Sequence, residues 1–280
     1  MSEKSVSKSA LTRIRRSATY QRISASSIGR LYRRLKGTPQ GEDQAHEVEF
    51  YRVLLGGFQQ GDTVFDIGAN TGQKADAFLQ LGARVVAVEP DELNLTKLRN
   101  RFAGSKGTPL PVSIVGAAIS DHEGAETMLV DGPGSALNTL SRKWADTLKS
   151  DKERFAHTID ALEFKHEKSV KTTTLDRLIE EFGVPFFVKI DVEGYELKVL
   201  QGLHKPVPYI SFEVNLPEFK QEGLQCIEVL KSLQETGEFN YSSDCWQGLA
   251  KDKWLQASEF SHVFAQCTER CVEVFWRSSL

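Results

Sequence analysis

Short apolar runs alternate with longer amphipathic segments through the middle of the chain. Five runs are rich in β-branched and aromatic residues, which predicts strands: TVFDI (63–67), RVVAVE (84–89), VSIVGAAI (112–119), FFVKID (186–191) and YISFEV (209–214). Apolar residues recur at helical spacing within residues 45–58, 73–82, 91–102, 174–183 and 194–203. Strands that alternate with helices and are apolar almost throughout are typical of a parallel sheet covered on both faces. The pattern therefore predicts an α/β fold.

Two parts of the chain depart from this alternation. Near the C-terminus, FAQC (264–267) and CVEVFW (271–276) flank the three residues TER, which predicts antiparallel pairing at one end of the sheet. Residues 131–173 are polar and rich in Lys, Arg and His, and we interpret them as an insertion over the open end of the sheet. The predicted organisation is one domain at residues 41–280 that carries this insertion, preceded by an arm at residues 1–40.

The arm differs from the rest of the chain in charge. It contains ten Lys or Arg and one acid, a net charge of +9, so the remainder carries −12 of the total of −3. Ile28, Leu31, Tyr32 and Leu35 are spaced as an apolar helical stripe. Such a segment is compatible with a solvated arm, a helix packed on the domain, a transit peptide or peripheral contact with an anionic membrane. We predict no specific nucleic-acid partner.

The bulk composition indicates an ordinary protein of a reducing compartment. No apolar run approaches the roughly eighteen residues of a membrane span, and the N-terminus lacks the apolar core of a secretion signal. The four cysteines form no CxxC pair. We therefore expect a cytoplasmic location, with contact to the inner face of the membrane through residues 1–40 as an additional hypothesis. Nothing in the sequence indicates an oligomeric state.

The stretch VFDIGANTG (64–72) joins the first predicted strand to a helix through small residues. Glycine lets a backbone approach a ligand closely, and ligands of open parallel sheets bind outside the carboxyl ends of the strands. The spacing is D-x-G-x-x-x-G, with Ala69 and Asn70 where a dinucleotide fingerprint has its second glycine. The second strand ends at Glu89, an acid placed to accept hydrogen bonds from ribose hydroxyls. Both nicotinamide dinucleotides and S-adenosylmethionine use such a site, and the altered glycine pattern favours S-adenosylmethionine.

A second charged stretch, KIDVEGYE (189–196), follows the fourth predicted strand. Lys189, Asp191 and Glu193 occupy alternate positions and share one face if the strand continues that far. Buried charges of this kind either pair with one another or reach a site. A local salt-bridge network is the alternative for Lys189 and Glu193, and Asp191 is the stronger functional candidate. Together with Glu213, at the end of the fifth strand, Asp191 and Glu193 are the candidate catalytic bases; no residue cluster predicts a metal site.

The segments VFDIGANTG, VVAVEPDELNLTKLRNRF, VGAAISDHEG, TTTLDRLI and FVKIDVEGYELKVLQG together resemble the FkbM family of S-adenosylmethionine-dependent methyltransferases, over about residues 45–215. The resemblance implies a class I methyltransferase (Rossmann-like) sheet of seven strands, mostly parallel with an antiparallel C-terminal strand, and helices on both faces. It implies O-methylation of a hydroxyl on a sugar, glycan or polyketide-type metabolite. The implied cofactor-binding residues are Asp66, Gly68, Ala69, Asn70, Gly72, Glu89, Pro90, Ala118, Ser120 and Asp191, with Ala118 to Asp121 bordering the adenine.

Two other functions stay open at this point: a nicotinamide-dependent oxidoreductase, and a module that binds S-adenosylmethionine without catalysis. For an enzyme, we expect the insertion to bind a small-molecule or glycan acceptor. Its basic residues suit an anionic glycan or a solvated surface: Arg142, Lys143, Lys149, Lys152, Arg154, Lys165 and Lys168. Trp144 and Phe155 could stack on a sugar ring or pack in the core.

Overall fold

A computed structural model describes residues 40–104, 110–150 and 164–279. Residues 1–39 of the predicted arm and residues 151–163 of the insertion lie outside this part of the chain, and with them the predicted acceptor residues Lys152, Arg154 and Phe155. The described helices are α1 (Gln40–Leu54), α2 (Gln73–Gln80), α3 (Glu92–Arg101), α4 (Arg142–Ser150), α5 (Leu175–Phe182), α6 (Glu196–Gln201), α7 (Lys220–Leu233) and α8 (Ala257–Ala265). The described strands are β1 (Thr63–Ile67), β2 (Arg84–Val88), β3 (Val112–Val115), β4 (Ala118–Ile119), β5 (Gly124–Val130), β6 (His166–Thr173), β7 (Phe187–Ile190), β8 (Tyr209–Asn215), β9 (Glu238–Ser242), β10 (Leu255–Gln256) and β11 (Cys271–Arg277).

The central sheet has the strand order β10-β9-β11-β8-β7-β1-β2-β3. Neighbouring strands from β8 to β3 are parallel, whereas β11 is antiparallel to both β8 and β9. The predicted class, a mostly parallel α/β sheet with an antiparallel C-terminal strand, is confirmed. The count differs from the expected seven, because the two-residue β10 pairs with β9 and adds an eighth strand.

Apolar side chains on the two faces of the sheet belong to separate cores. In β1, Val64 packs with residues of α1, α2 and α3, while Phe65 and Ile67 pack with residues of α5, α6, α7 and α8. Alternation of this kind is what buries a strand on both faces. The helices therefore cover both faces, as predicted.

Polar residues fix where two of these helices begin. The Asp91 side chain accepts hydrogen bonds from the N–H groups of Leu93 and Asn94 at the start of α3. The Thr174 side chain accepts one from the N–H of Arg177 at the start of α5, which ends at Gly183 with a left-handed φ of 84°. Thr174 and Gly183 therefore cap α5 as the sequence predicts.

Two predictions about the strands are wrong. The segment FAQC is the end of α8 and the turn after it, so β11 pairs between β8 and β9 and forms no hairpin with it. The run 112–119 is interrupted at residues 116–117: β3 stays in the central sheet, and β4 joins a second sheet of order β4-β6-β5. Strands β5 and β6 pair with each other over seven residues and were missed because their exposed faces make the sequence polar.

The segment predicted as an insertion, 131–173, contains helix α4 and strand β6 in its described part. None of the described helices is both long and apolar enough to cross a membrane.

Candidate active site

A cavity of about 900 Å³, including the part open to solvent, lies at the carboxyl ends of β1, β2 and β7. Its walls are the turn after β1, the residues after β2, strand β4, the loop before α4 and the turn after β7. Both apolar and polar side chains line the cavity, as is usual for small-molecule sites. The edge is also where ligands of open parallel sheets bind.

The turn after β1 is held against the ends of two neighbouring strands. The backbone N–H groups of Gly68 and Ala69 both donate to the Val88 carbonyl at 3.0 Å. Gly68 has a φ of +81°, and a Cβ built there would lie 2.0 Å from the carbonyl oxygen of Asp191. Only glycine allows this approach of the turn to β7. Gly68, Ala69 and Asn70, which the sequence predicts to contact the cofactor, line the cavity.

Gly72 has a different position from the one that the motif implies. It is absent from the cavity wall, and a Cβ there would lie 2.6 Å from the Phe102 ring and 2.9 Å from Leu98. Its left-handed φ of 84° and its small size let the start of α2 pack against α3. Gly72 therefore shapes the wall from behind.

Glu89 is buried at the end of β2 and lines the cavity. One carboxylate oxygen accepts a hydrogen bond from the Asn70 N–H at 2.8 Å, and the other from the Asp91 N–H at 2.9 Å. Burial raises the pKa of Glu89 to about 7, although these backbone hydrogen bonds act in the opposite direction. Pro90, next to it, also lines the cavity. A buried carboxylate in the wall fits a ligand that presents hydroxyl donors, such as a ribose.

Lys189 and Asp191 both line the cavity and form an ion pair, with Nζ and Oδ2 3.0 Å apart. Burial alone lowers the pKa of Lys189, but the charges of Asp191, Asp66 and Glu273 outweigh it, so the pKa is raised. Asp66 is fully buried and pairs in register with Lys189 across β1 and β7, off the cavity wall. Asp66 therefore contributes charge behind the wall, and Asp191 is in the wall itself.

Lys189, Asp191 and Glu193 do not share one face of a strand, because β7 ends at Ile190. Glu193 has a left-handed φ of 56°, which turns the chain after two further residues. Its Oε2 accepts a hydrogen bond from Trp144 Nε1 at 3.0 Å, and its carbonyl accepts one from Thr139 Oγ1 at 2.7 Å. Glu193 lines the cavity, whereas Glu213 lies outside the wall.

Comparisons with known proteins agree with this architecture. The family model described as the Methyltransferase FkbM domain matches residues 66–241, more than half of the chain. The chain belongs to the FkbM methyltransferase family. The resemblance in the motifs is thus confirmed, and the domain is a methyltransferase domain, in agreement with S-adenosylmethionine as the cofactor.

One curated relative of this FkbM domain is the hexuronic acid methyltransferase AglP of Haloferax volcanii. The two are 26% identical over 174 residues, which cover 61% of this chain and 62% of the relative. The chain thus spans less than two thirds of the relative's length.

Solved structures resemble the chain only loosely. The precorrin-6y C5,15-methyltransferase of Geobacter metallireducens has a TM-score of 0.41 at 11% identity, covering 85% of this chain and 89% of its own. The plantazolicin methyltransferase BpumL, in complex with a monoazolic desmethylPZN analogue and S-adenosylhomocysteine, has a TM-score of 0.43 at 10% identity, covering 97% of this chain and 95% of its own. Scores this low establish neither fold nor ligand.

The sequence did not predict a site role for some of the residues that line the cavity of the FkbM domain. Tyr195 lines the cavity, and its hydroxyl lies 3.1 Å from Glu126 Oε1 and 3.3 Å from Ser120 Oγ. Ala118 is in the wall, but Ser120 is behind it. Tyr195 thus connects the turn after β7 to the second sheet. These contacts join residues 69 and 75 positions apart, so sequence spacing could not reveal them.

Asn138 ties the loop before α4 to the start of α3. Its side-chain N–H₂ donates to Asp91 Oδ2 at 3.3 Å and to the Gly132 carbonyl at 3.1 Å, and its Oδ1 accepts from the Asp131 N–H at 3.0 Å. Asn138 and Thr139 both line the cavity. The loop therefore closes the side of the cavity next to Glu89.

Four of the basic residues expected to bind an anionic acceptor have acidic partners. The ion pairs are Arg142–Glu167, Lys143–Glu222, Lys149–Asp146 and Lys168–Glu92. Trp144 is fully buried and packs edge-on against Phe219, so it does not present a face for sugar stacking. Among the described residues, no group of three or more His, Cys, Asp or Glu is placed to hold a metal ion.

Proposed function

We propose that this protein is an S-adenosylmethionine-dependent O-methyltransferase whose acceptor is a hydroxyl of a sugar or glycan, with hexuronic acids as the first candidates. The observation that carries the proposal is the buried Glu89 carboxylate, linked to the Gly68–Asn70 turn in the wall of an FkbM domain cavity. The name of the AglP relative supports the acceptor class.

The cofactor residues have separate tasks in this proposal. When bound, S-adenosylmethionine supplies a methyl group on a sulfonium, which is already activated for transfer. Glu89 accepts hydrogen bonds from the ribose hydroxyls, and the turn at Gly68, Ala69 and Asn70 lets the ligand lie against the backbone. Pro90 and Ala118 border the adenine.

Glu193 is the proton acceptor for the acceptor hydroxyl in this proposal. Of the three candidate carboxylates, Glu213 lies outside the wall, and Asp191 is held by the buried ammonium of Lys189. Glu193 is in the wall, and its carboxylate accepts a hydrogen bond from the neutral indole N–H of Trp144. A positioned base contributes about 10²–10⁴-fold, and orientation of the acceptor contributes up to about 7–11 kcal/mol.

Calorimetry with S-adenosylhomocysteine and with NAD tests the cofactor. We expect binding of S-adenosylhomocysteine and none of NAD. Tight binding of NAD with no response to S-adenosylhomocysteine would instead support the nicotinamide-dependent oxidoreductase.

Transfer of labelled methyl groups tests the acceptor and the base. Methyl glucuronide and methyl glucoside are matched probes that differ in the carboxylate, and we expect label only in the glucuronide. A hexuronic acid also offers its carboxylate, so the label must survive mild alkali, which cleaves an ester but not an ether. Loss of transfer in Glu89→Ala, with full transfer in Glu193→Gln, would rule out Glu193 as the base. Binding of S-adenosylhomocysteine without transfer to glucuronides or to a glycolipid extract would favour a non-catalytic module.

We also propose that the basic arm brings the domain to an anionic membrane surface. The arm carries a net charge of +9 and precedes α1 in the sequence, and Glu47 of α1 pairs with Lys74 of the cavity wall. Co-sedimentation with phosphatidylglycerol vesicles, but not with phosphatidylcholine vesicles, is the expected result. Deletion of residues 1–39 should abolish it and leave S-adenosylhomocysteine binding intact; loss of folding would refute a peripheral arm.

A further inference from the structure

We propose that Trp144, in helix α4 between strands β5 and β6 of the second sheet, is a positioning residue that holds the Glu193 carboxylate in the cavity wall. The proposal rests on the role of Glu193 given above. It makes the inserted segment part of the catalytic machinery, in addition to any contact with the acceptor.

The indole of Trp144 is fixed from several sides. Its side chain is fully buried, and its ring packs edge-on against Phe219 with centroids 5.7 Å apart. The backbone N–H of Trp144 donates to Ser141 Oγ at 3.2 Å, which anchors the first turn of α4. The neighbouring residue, Lys143, has its Nζ over the Phe219 ring, 4.6 Å from the centroid. Lys143 also forms an ion pair with Glu222. The Nε1 donor is therefore presented to Glu193 in one orientation.

The backbone of Glu193 is held by the same inserted segment. A left-handed φ of 56° is uncommon outside glycine, and such residues persist where their surroundings over-determine them. Thr139 Oγ1 donates to the Glu193 carbonyl at 2.7 Å. A Cβ at the next residue, Gly194, would lie 2.7 Å from the Phe219 ring and 3.1 Å from Trp144 Cβ, so the turn fits closely against both side chains. Main chain and side chain of Glu193 are thus both fixed by contacts made outside β7.

A neutral donor has a specific consequence for a base. The Trp144 N–H orients the carboxylate and stabilises its ionised form without placing a positive charge beside it, in contrast to Lys189 beside Asp191. Loss of this donor should therefore free the carboxylate to rotate and make it easier to protonate. Both effects concern Glu193 before any acceptor binds, so they can be measured on the protein alone.

The test compares Trp144→Phe with Trp276→Phe in protein labelled with [δ-¹³C]glutamate. Trp276 is also fully buried, and within the described residues its Nε1 has no hydrogen-bond partner, so it is a matched ring truncation. Glu193→Gln assigns the Glu193 carboxyl signal. We expect its titration midpoint to move to higher pH by about one unit in Trp144→Phe and to stay in place in Trp276→Phe. An unchanged midpoint in a folded Trp144→Phe protein overturns the proposal.

A second measurement needs only proteins that keep the indole. The sequence has four tryptophans, so four indole N–H signals are expected in a ¹⁵N spectrum. The chemical shift of one of these signals should change with pH at the Glu193 carboxyl midpoint, and this change should disappear in Glu193→Gln. If no indole signal behaves in this way, the contact has no such role.

Methyl transfer to the glucuronide probe gives a third measurement. The acid limb of its pH–rate profile should shift in Trp144→Phe by the same amount as the Glu193 carboxyl midpoint. If the midpoint moves but wild-type protein transfers no methyl group, the positioning role stands and the proposed function fails.

Discussion

The protonation state of Glu89 should control the affinity for the cofactor between pH 6 and pH 8. Burial raises the pKa of this carboxyl to about 7 in the ligand-free protein. Ribose hydroxyls donate hydrogen bonds to a carboxylate, so binding selects the ionised form. With a pKa of about 7, the ionised fraction is about 9% at pH 6 and about 91% at pH 8. Since the apparent affinity scales with the fraction of protein in which Glu89 is ionised, the Kd for S-adenosylhomocysteine should be about tenfold higher at pH 6 than at pH 8.

Calorimetric titrations at pH 6, 7 and 8 measure this change, and two amide variants test its origin. Glu89→Gln should bind more weakly at every pH and lose the tenfold slope. Glu196 is a matched control, because burial also raises its pKa to about 7 although it lies outside the cavity wall. Glu196→Gln should keep the slope. A flat profile in the wild-type protein, or a tenfold slope that survives in Glu89→Gln, would refute the reasoning.

The raised pKa of Glu89 should also make the free energy of unfolding depend on pH. A carboxyl whose pKa is raised from 4.5 to about 7 stabilises the fold below about pH 4.5, and this contribution is lost as the pH rises through 7. The loss amounts to about 3 kcal/mol. Relative to wild type, Glu89→Gln should therefore gain about that much unfolding free energy between pH 4 and pH 8 in denaturant titrations.

Three further substitutions test other contacts of the cavity. Gly68→Ala should abolish folding or S-adenosylhomocysteine binding, because its Cβ would lie 2.0 Å from Asp191 O, whereas Gly61→Ala, also at positive φ but with nothing within 4 Å, should cost only about 1 kcal/mol in denaturant unfolding. Asn138→Ala should weaken S-adenosylhomocysteine binding, because the loop before α4 loses its link to Asp91. Calorimetry measures this, with the exposed Asn100→Ala as the control, and equal affinity in the two variants would contradict the prediction. Lys189→Met should lower the unfolding free energy by about 3–5 kcal/mol at pH 7, since Asp191 loses its cation and Asp66 loses a neighbouring one; a change below 1 kcal/mol would mean that these charges are compensated elsewhere.

The sequence predicted those parts of the molecule whose causes are local. Apolar strands, the Thr174 cap and the acid that ends β2 are read from neighbouring residues. Strands β5 and β6 were missed because one side of the second sheet faces water, which removes the apolar signal. The predicted pairing of FAQC was wrong because so short a run can end a helix as well as form a strand.

The arrangement within the site depends on contacts that no spacing rule contains. The motif names Glu193, but its environment comes from Trp144, 49 residues earlier, and from Thr139, 54 residues earlier. Gly72 belongs to the same motif as Gly68, yet only the structure distinguishes a glycine that faces the cavity from one that packs α2 on α3. Sequence identified the segments of the site; tertiary packing decides which side chains face the ligand.

Three carboxylates line this cavity, and their neighbours give each a different response to replacement by an amide. Glu89 is held by backbone N–H groups and should control cofactor affinity; Asp191 is held by the Lys189 ammonium; Glu193 is held by an indole N–H. Asp191→Asn leaves a buried cation without its partner, so it should lower stability by about 3–5 kcal/mol. Glu193→Gln keeps the shape of the side chain and an oxygen that can accept the Trp144 N–H, so S-adenosylhomocysteine affinity should persist while methyl transfer falls about 10²-fold or more. If Glu193→Gln instead weakens S-adenosylhomocysteine binding as strongly as Glu89→Gln does, the two carboxylates bind the same ligand and the division between cofactor and acceptor sides is wrong.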